Sequence, residues 1–179
     1  MTPGAFGNPA GFREPDVEPA EKHSRLLLMM FVHSECPCSR ASLAELREVV
    51  AANPQTADVR IYLRTDSNSS ADWNTTASAR RAAEIQGAAV IADADGAIAA
   101  RHNVETSGHV VVYSAAGNLL FSGGMTAARG HVSENPGKSA VSDLLAGRQP
   151  VCPQHSVFGC PLFEAASPAA ARPPCPARN

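Results

Sequence analysis

The stretch that decides the fold runs from residue 25 to residue 52 and reads RLLLMMFVHSECPCSRASLAELREVVAA. Its first part, Arg25 to His33, is a short and almost continuous apolar run, which is typical of a buried central β-strand. Its last part, Ser39 to Ala52, has apolar residues at the spacing of one helical face. Cys36 and Cys38 lie at the junction. The stretch therefore predicts a strand, a turn and a helix, with two thiols close to the start of the helix.

Beyond this unit, apolar spacing and turn residues predict further strands and helices in alternation. In chain order they are a strand at 58–64, a helix at 72–86, a short strand at 88–92, a short helix at 97–103, a hairpin with strands at 109–114 and 119–122, and a helix at 136–146. The early alternation favours parallel strands with helices on both faces, and the late hairpin adds antiparallel strands. The sequence thus predicts an α/β fold, a central mixed sheet flanked by helices.

Composition and charge limit the classes of function. The chain has 179 residues, of which 44% are hydrophobic, with a formal net charge of −2 and a pI near 6.3. It contains no run of Lys or Arg, so we expect no nucleic-acid partner. Its longest apolar run, Leu26 to Val32, is far shorter than the roughly 18–20 residues of a membrane helix. We therefore expect no membrane span in this chain.

The composition divides the chain into four segments. Residues 1–22, rich in Gly, Pro and acidic side chains, predict a flexible leader without the pattern of a secretory signal. Residues 23–147 hold the predicted strands and helices of the domain. Residues 148–163 predict an irregular, cysteine-bearing C-terminal arm that packs on the domain, because a plain linker would not need their large apolar side chains. Residues 164–179, rich in Ala, Pro and Arg, predict a disordered tail.

The chemistry is centred on cysteine. Cys36 comes just before a helix, where the backbone amides and the helix dipole favour a thiolate, so it is the predicted nucleophile. A disulfide between Cys36 and Cys38 would close a very small, strained and easily reduced ring. Alternatively, Cys160 of the arm, or else Cys152, resolves a mixed disulfide formed on Cys36. A local Cys152–Cys160 bridge competes with that arrangement, and we expect the local bridge in preference.

The same part of the chain also suits a soft metal ion. His33, Cys36 and Cys38 form the pattern H-x-x-C-x-C, and thiolate with imidazole favours Cu(I) or zinc. His131, on the loop after the hairpin, is a further candidate ligand. The spacing matches no zinc finger, so the pattern predicts copper or zinc binding only as an alternative.

Residues 31–46, FVHSECPCSRASLAEL, resemble the active-site segment of TlpA-type periplasmic thioredoxins, FWAxWCPPCRAExPxL. Residues 90–123 also resemble these proteins. Both segments, with residues 123–126 and the loop at 129–131, look like the RedB-like branch of the thioredoxin-like superfamily, and the resemblance covers roughly residues 25–163. It implies a thioredoxin-like fold and a location outside the cytoplasm. It also places Cys36 on the nucleophilic cysteine, Ser39 on the resolving cysteine, and Gly108 on the cis-proline that faces the active site.

Three hypotheses about function follow. In the first, the chain is a thiol–disulfide redox protein with a CxC-Ser centre (Cys36, Cys38, Ser39) instead of CxxC. It then acts on protein thiols or disulfides and requires no cofactor. In the second, it is a non-enzymatic module that binds copper or zinc through the same cysteines. In the third, it is a scaffold whose cysteines only staple the arm. Because Ser39 is not a thiol, the sequence leaves enzymatic activity open.

Overall fold

The computed structural model describes residues 25–67 and 72–163; the predicted leader at 1–22 and the tail at 164–179 lie outside these ranges. The strands and helices, in chain order, are β1 (Leu26–His33), α1 (Ser39–Ala52), β2 (Ala57–Thr65), α2 (Ala77–Ala83), β3 (Ala88–Ala94), α3 (Ala97–Arg101), β4 (His109–Tyr113), β5 (Leu119–Gly124), α4 (Pro136–Leu145) and β6 (Gln154–His155). A 3-10 turn, Trp73–Thr75, precedes α2.

These six strands form one mixed sheet in the order β3-β2-β1-β4-β5-β6. β2 is parallel to both β1 and β3, and parallel neighbours need crossover connections, which α1 and α2 supply. β4 is antiparallel to both β1 and β5, and β6 pairs in parallel with the far edge of β5. The mixed sheet with flanking helices is the architecture that the sequence predicts.

β1 lies in the middle of the sheet and is buried on both faces. Its side chains alternate between two apolar clusters because successive residues of a strand point to opposite faces. Leu28, Met30 and Val32 join the larger cluster, which includes residues of α1, α2 and α4. Leu27, Met29 and Phe31 join a smaller cluster with residues of α3 and the arm. This burial fixes the end of β1, and with it the turn that carries Cys36.

The predicted helix at 72–86 is interrupted at Thr76. The backbone of Thr76 is extended, and its hydroxyl accepts a hydrogen bond of 3.1 Å from the amide of Ala79. This side chain caps the new helix, which is the usual role of threonine at such a position. Residues around this cap line one side of a groove, and the turn that carries Cys36 lines the other side.

The C-terminal arm, residues 148–163, is held by backbone hydrogen bonds and by apolar contacts. Its first part includes β6, beside β5. Further along, the amide of Ser107 donates to the carbonyl of Cys160 and the amide of Leu162 donates to that of Glu105, both at 2.8 Å. Val157 and Leu162 are buried. The end of the arm therefore lies along residues 105–107, the segment that leads into β4.

Candidate active site

Cys36 lies in the turn that joins the buried strand β1 to helix α1. Its amide donates to the carbonyl of His33, and the amide of Ser39 donates to the carbonyl of Cys36, both at 3.1 Å. Cys38 is the residue immediately before α1. Cys36 is only 5% exposed, whereas Cys38 is half-buried. Tight turns and the first turn of the helix thus fix the two thiols that the sequence singles out.

The arm brings Cys160 to Cys36. Their sulfur atoms are 2.9 Å apart and hydrogen-bonded, although the residues are 124 positions apart in the chain. Gly159 permits this approach, because a Cβ atom on it would collide with the carbonyl of Ser107. The backbone of Cys160 is in turn held by the amide of Ser107. Backbone pairing at 105–107 therefore aims the Cys160 thiol at Cys36.

The expected bridge between Cys152 and Cys160 is not formed. Cys36, Cys38 and Cys160 are free thiols, whereas Cys152 is disulfide-bonded. The physical reason is the path of the arm. Between the two cysteines it pairs with β5 and then with residues 105–107, which carries Cys160 to the active-site turn.

The three free thiols differ in acidity. Burial raises the pKa of Cys36, but the hydrogen bonds with Cys160 and Ser39 together outweigh burial and lower the pKa to about 7. Burial and then the hydrogen bond to Cys36 raise the pKa of Cys160 to about 12, while the cation of Arg129 acts in the opposite direction. Burial and the charge of Cys36 also raise the pKa of Cys38. Cys36 is therefore the first of the three thiols to ionise as the pH rises, and Cys160 then donates the hydrogen bond between them.

Ser39 is buried beneath this cluster. Its hydroxyl lies 2.9 Å from the hydroxyl of Ser107, which accepts a 2.9 Å hydrogen bond from the amide of His33. Hydrogen bonds with Ser39 also lower the pKa of Cys36. Ser39 thus supports the thiolate, although it cannot form a disulfide. Ser107 is not among the site residues that the sequence predicts. The one feature of the sequence that points to Ser107 is its position next to Gly108.

Gly108 occupies the position that the resemblance assigns to a cis-proline. Within the described residues there is no cis peptide bond, and Gly108 has a φ of +90°, which favours glycine. Its amide donates to the carbonyl of Phe31 at 2.7 Å, and a Cβ atom would lie only 2.6 Å from the hydroxyl oxygen of Ser42. Glycine therefore lets this segment approach both β1 and α1 closely.

The histidines do not join the thiols. Among the described residues, the sulfur atoms of Cys36, Cys38 and Cys160 lie within 4.8 Å of one another and could hold a metal ion. His33, a predicted ligand, accepts a hydrogen bond from the amide of Glu35 through Nδ1, and its Nε2 lies 3.5 Å from Arg64. His131 is exposed. The structure thus groups Cys160, rather than either histidine, with the two predicted cysteines.

Comparison with known proteins supports the fold. No protein-family model matches the chain, and no curated protein sequence is similar to it. Two solved structures each align with 93% of it. One is an uncharacterized conserved protein from Geobacillus kaustophilus, with 17% identity, a TM-score of 0.62 and 90% of that chain covered. The other is a hypothetical protein from Sinorhizobium meliloti 1021, with 18% identity, a TM-score of 0.61 and 97% of that chain covered. A third is a secreted Mycobacterium tuberculosis disulfide oxidoreductase homologous to E. coli DsbE. It aligns with 69% of this chain, with 22% identity, a TM-score of 0.50 and 81% of that chain covered. Together with the mixed sheet and its flanking helices, these similarities show that the chain has an α/β thioredoxin-like fold.

Proposed function

We propose that this chain catalyses thiol–disulfide exchange, with Cys36 as the nucleophile and Cys160 as the resolving thiol. One observation carries the proposal: the two sulfur atoms are 2.9 Å apart. A disulfide holds its sulfurs about 2.05 Å apart, so bond formation needs only a small movement. The lowered pKa of Cys36 supports the assignment, because the thiolate is the form that attacks a disulfide.

In the proposed reaction, the Cys36 thiolate attacks one sulfur of a substrate disulfide. The substrate bond breaks, one half leaves as a thiolate that takes up a proton, and the other half stays on Cys36 as a mixed disulfide. Cys160 then loses its proton and attacks the Cys36 sulfur, which releases the second half. The substrate has gained two electrons, and the protein has become a Cys36–Cys160 disulfide. A dithiol protein that reverses these steps restores the free thiols.

Electrostatics favour this order of events. While Cys36 is a thiolate, its charge and its hydrogen bond help to keep Cys160 protonated. A mixed disulfide on Cys36 carries no charge, so both influences then disappear. Burial and the charge of Cys38 still oppose ionisation of Cys160, and the cation of Arg129 favours it. Cys160 is thereby a better nucleophile after the first step than before it.

Trapping tests the assignment. In Cys160→Ser, a small disulfide such as 2-hydroxyethyl disulfide should leave a stable mixed disulfide on Cys36, visible in the intact mass. In the matched variant Cys38→Ser, the adduct should disappear as the Cys36–Cys160 bond forms. The opposite result, with accumulation in Cys38→Ser and none in Cys160→Ser, would make Cys38 the resolving thiol. No adduct in either variant, together with no loss of free thiols in either, would contradict the redox function itself.

We propose protein thiols or disulfides as the partners and a compartment outside the cytoplasm as the location. Support for the location comes from the structural similarity to a secreted oxidoreductase and from the disulfide of Cys152, because such bonds persist in oxidising compartments. Among the residues that the structure describes, no helix is long and apolar enough to cross a membrane.

The three clustered thiols favour a second candidate, a Cu(I) site. Thiolates are the ligands that soft Cu(I) prefers, whereas a structural zinc site needs four ligands and this cluster offers three. Anaerobic titration with Cu(I) separates the two functions. One equivalent bound by the wild type, and lost in Cys38→Ser as well as in Cys160→Ser, would favour copper binding. The redox reading predicts instead that Cys38→Ser retains disulfide exchange.

A further inference from the structure

A groove of about 490 Å³ opens onto Cys36. It lies between the active-site turn, with Glu35 and Pro37, and the start of α2, with Thr76 and Ser78. Ligand pockets of roughly 300–1,000 Å³ suit small molecules. Neither Cys38 nor Cys160 lines this groove. A disulfide bound there would lie beside Cys36, while the Cys160 thiol remains 2.9 Å from the Cys36 sulfur.

Two arginines give the groove its charge. Arg40 belongs to α1 and Arg81 to α2, and both side chains are exposed along it. Within the described part of the chain, neither guanidinium has an ion pair or a hydrogen bond. Glu35, also exposed in the groove, carries the opposing charge. Two cations and one carboxylate leave a net positive groove beside a reactive sulfur.

We propose that this groove binds small disulfides that carry a carboxylate, and that Arg40 and Arg81 hold that carboxylate. The inference rests on the proposed function, because it names the substrate class of the same Cys36. A guanidinium presents paired N–H donors that match the geometry of a carboxylate, and an unpartnered one is free to do so. The apolar edge of Pro37 and the exposed Ala77 at the start of α2 complete a surface for the rest of such a molecule.

The covalent step balances without a further reactant. The Cys36 thiolate attacks the nearer sulfur of the bound disulfide, whose S–S bond breaks. The half held by the arginines stays on Cys36 as a mixed disulfide, and the other half departs as a thiolate and takes up a proton. The substrate is itself the oxidant, and resolution by Cys160 releases the bound half as a second thiol.

Single-turnover kinetics on the whole chain test this inference. The background variant Cys38→Ser/Cys160→Ser leaves Cys36 as the reacting thiol of the cluster, and the appearance of its mixed disulfide is followed by intact mass. Three probes differ in charge: oxidised glutathione with its carboxylates, neutral 2-hydroxyethyl disulfide and cationic cystamine. Arg40→Gln/Arg81→Gln should slow the reaction with oxidised glutathione roughly three- to tenfold, as expected for two partly exposed charge contacts. It should leave the neutral probe unchanged.

Arg80→Gln is the matched control. Arg80 lies on the same helix as Arg81, is exposed and does not line the groove. It should change none of the three rates. Glu35→Gln should speed the reaction with oxidised glutathione, and added salt should reduce the effect of the arginines.

The outcomes distinguish failure of the proposed substrate class from failure of the proposed function. Equal slowing of all three probes by Arg40→Gln/Arg81→Gln, or no change in the ratio of glutathione to neutral rates, would overturn the substrate class but leave Cys36 as a nucleophile. Failure of Cys36 to react with any probe in the background variant would overturn the proposed function instead.

Discussion

At Cys36, burial and hydrogen bonding act in opposite directions on the thiol pKa, and hydrogen bonding prevails. Both residues that donate these hydrogen bonds have a different role in the sequence-based interpretation. Ser39 looked like a lost resolving cysteine, yet its buried hydroxyl and amide support the thiolate. Cys160 looked like one half of a local bridge, yet its thiol is the other source of support. One residue can thus lose a redox role and keep an electrostatic one.

The pH dependence of alkylation tests this balance. A thiolate forms as pH rises through the pKa, so modification of Cys36 by iodoacetamide should reach half its maximal rate near pH 7. Cys38, whose pKa is raised, should react only at more alkaline pH. In Cys160→Ala the midpoint for Cys36 should move upward, because a hydrogen bond to the thiolate is lost. Site-resolved mass spectrometry measures both residues in one sample. A common midpoint near 9 for Cys36 and Cys38 would contradict the assignment.

Among the elements, the pairing of the arm with residues 105–107 has the greatest consequence for the site. Two backbone hydrogen bonds and the absence of a side chain at Gly159 set the distance between arm and loop. The same pairing fixes Ser107, whose hydroxyl contacts Ser39. The arm therefore contributes a thiol and also holds in place the segment that carries Ser107.

Gly159→Ala tests the role of this close approach. The added methyl group must push the arm from the carbonyl of Ser107, and overpacking of this kind costs roughly 1–3 kcal/mol of unfolding free energy. Because Cys160 moves with the arm, the pKa of Cys36 should also rise. Chemical denaturation and the alkylation profile measure the two effects.

Gly117→Ala is the control for that variant. Gly117 has a φ of +79° in the turn between β4 and β5, with open space around it, so alanine there strains the backbone far from the thiols. It should lower stability and leave the reactivity of Cys36 unchanged. Unchanged reactivity in Gly159→Ala as well would show that the arm does not position Cys160.

For the molecule as a whole, the Cys36–Cys160 contact joins residues 124 positions apart. A disulfide across so long a segment restricts the unfolded chain strongly, and such bonds typically add about 2–4 kcal/mol of stability. The oxidised protein should therefore melt at a higher temperature than the form in which Cys36 and Cys160 alone are reduced by a mild dithiol. Cys160→Ser retains the disulfide of Cys152, so it should show no such difference. A melting temperature that is the same for the oxidised and reduced wild type would contradict the proposed bond.

The sequence by itself determined the strand–turn–helix unit around Cys36, the mixed α/β architecture and the position of that cysteine just before α1. These depend on apolar periodicity within short windows, which residues 25–52 display clearly. The same periodicity predicts one continuous helix at 72–86, whereas the structure has a helix cap at Thr76 that interrupts it.

Only the tertiary structure decided which thiol faces Cys36. The choice between Cys152, Cys38 and Cys160 depends on the path of the arm along β5 and residues 105–107, and that path is set by backbone contacts between distant segments. The same holds for Ser107 and for the groove between Arg40 and Arg81, whose residues come from separate elements. Periodicity reports which face of an element is buried, but it carries no information about which distant backbone that face or its flanking loop will meet.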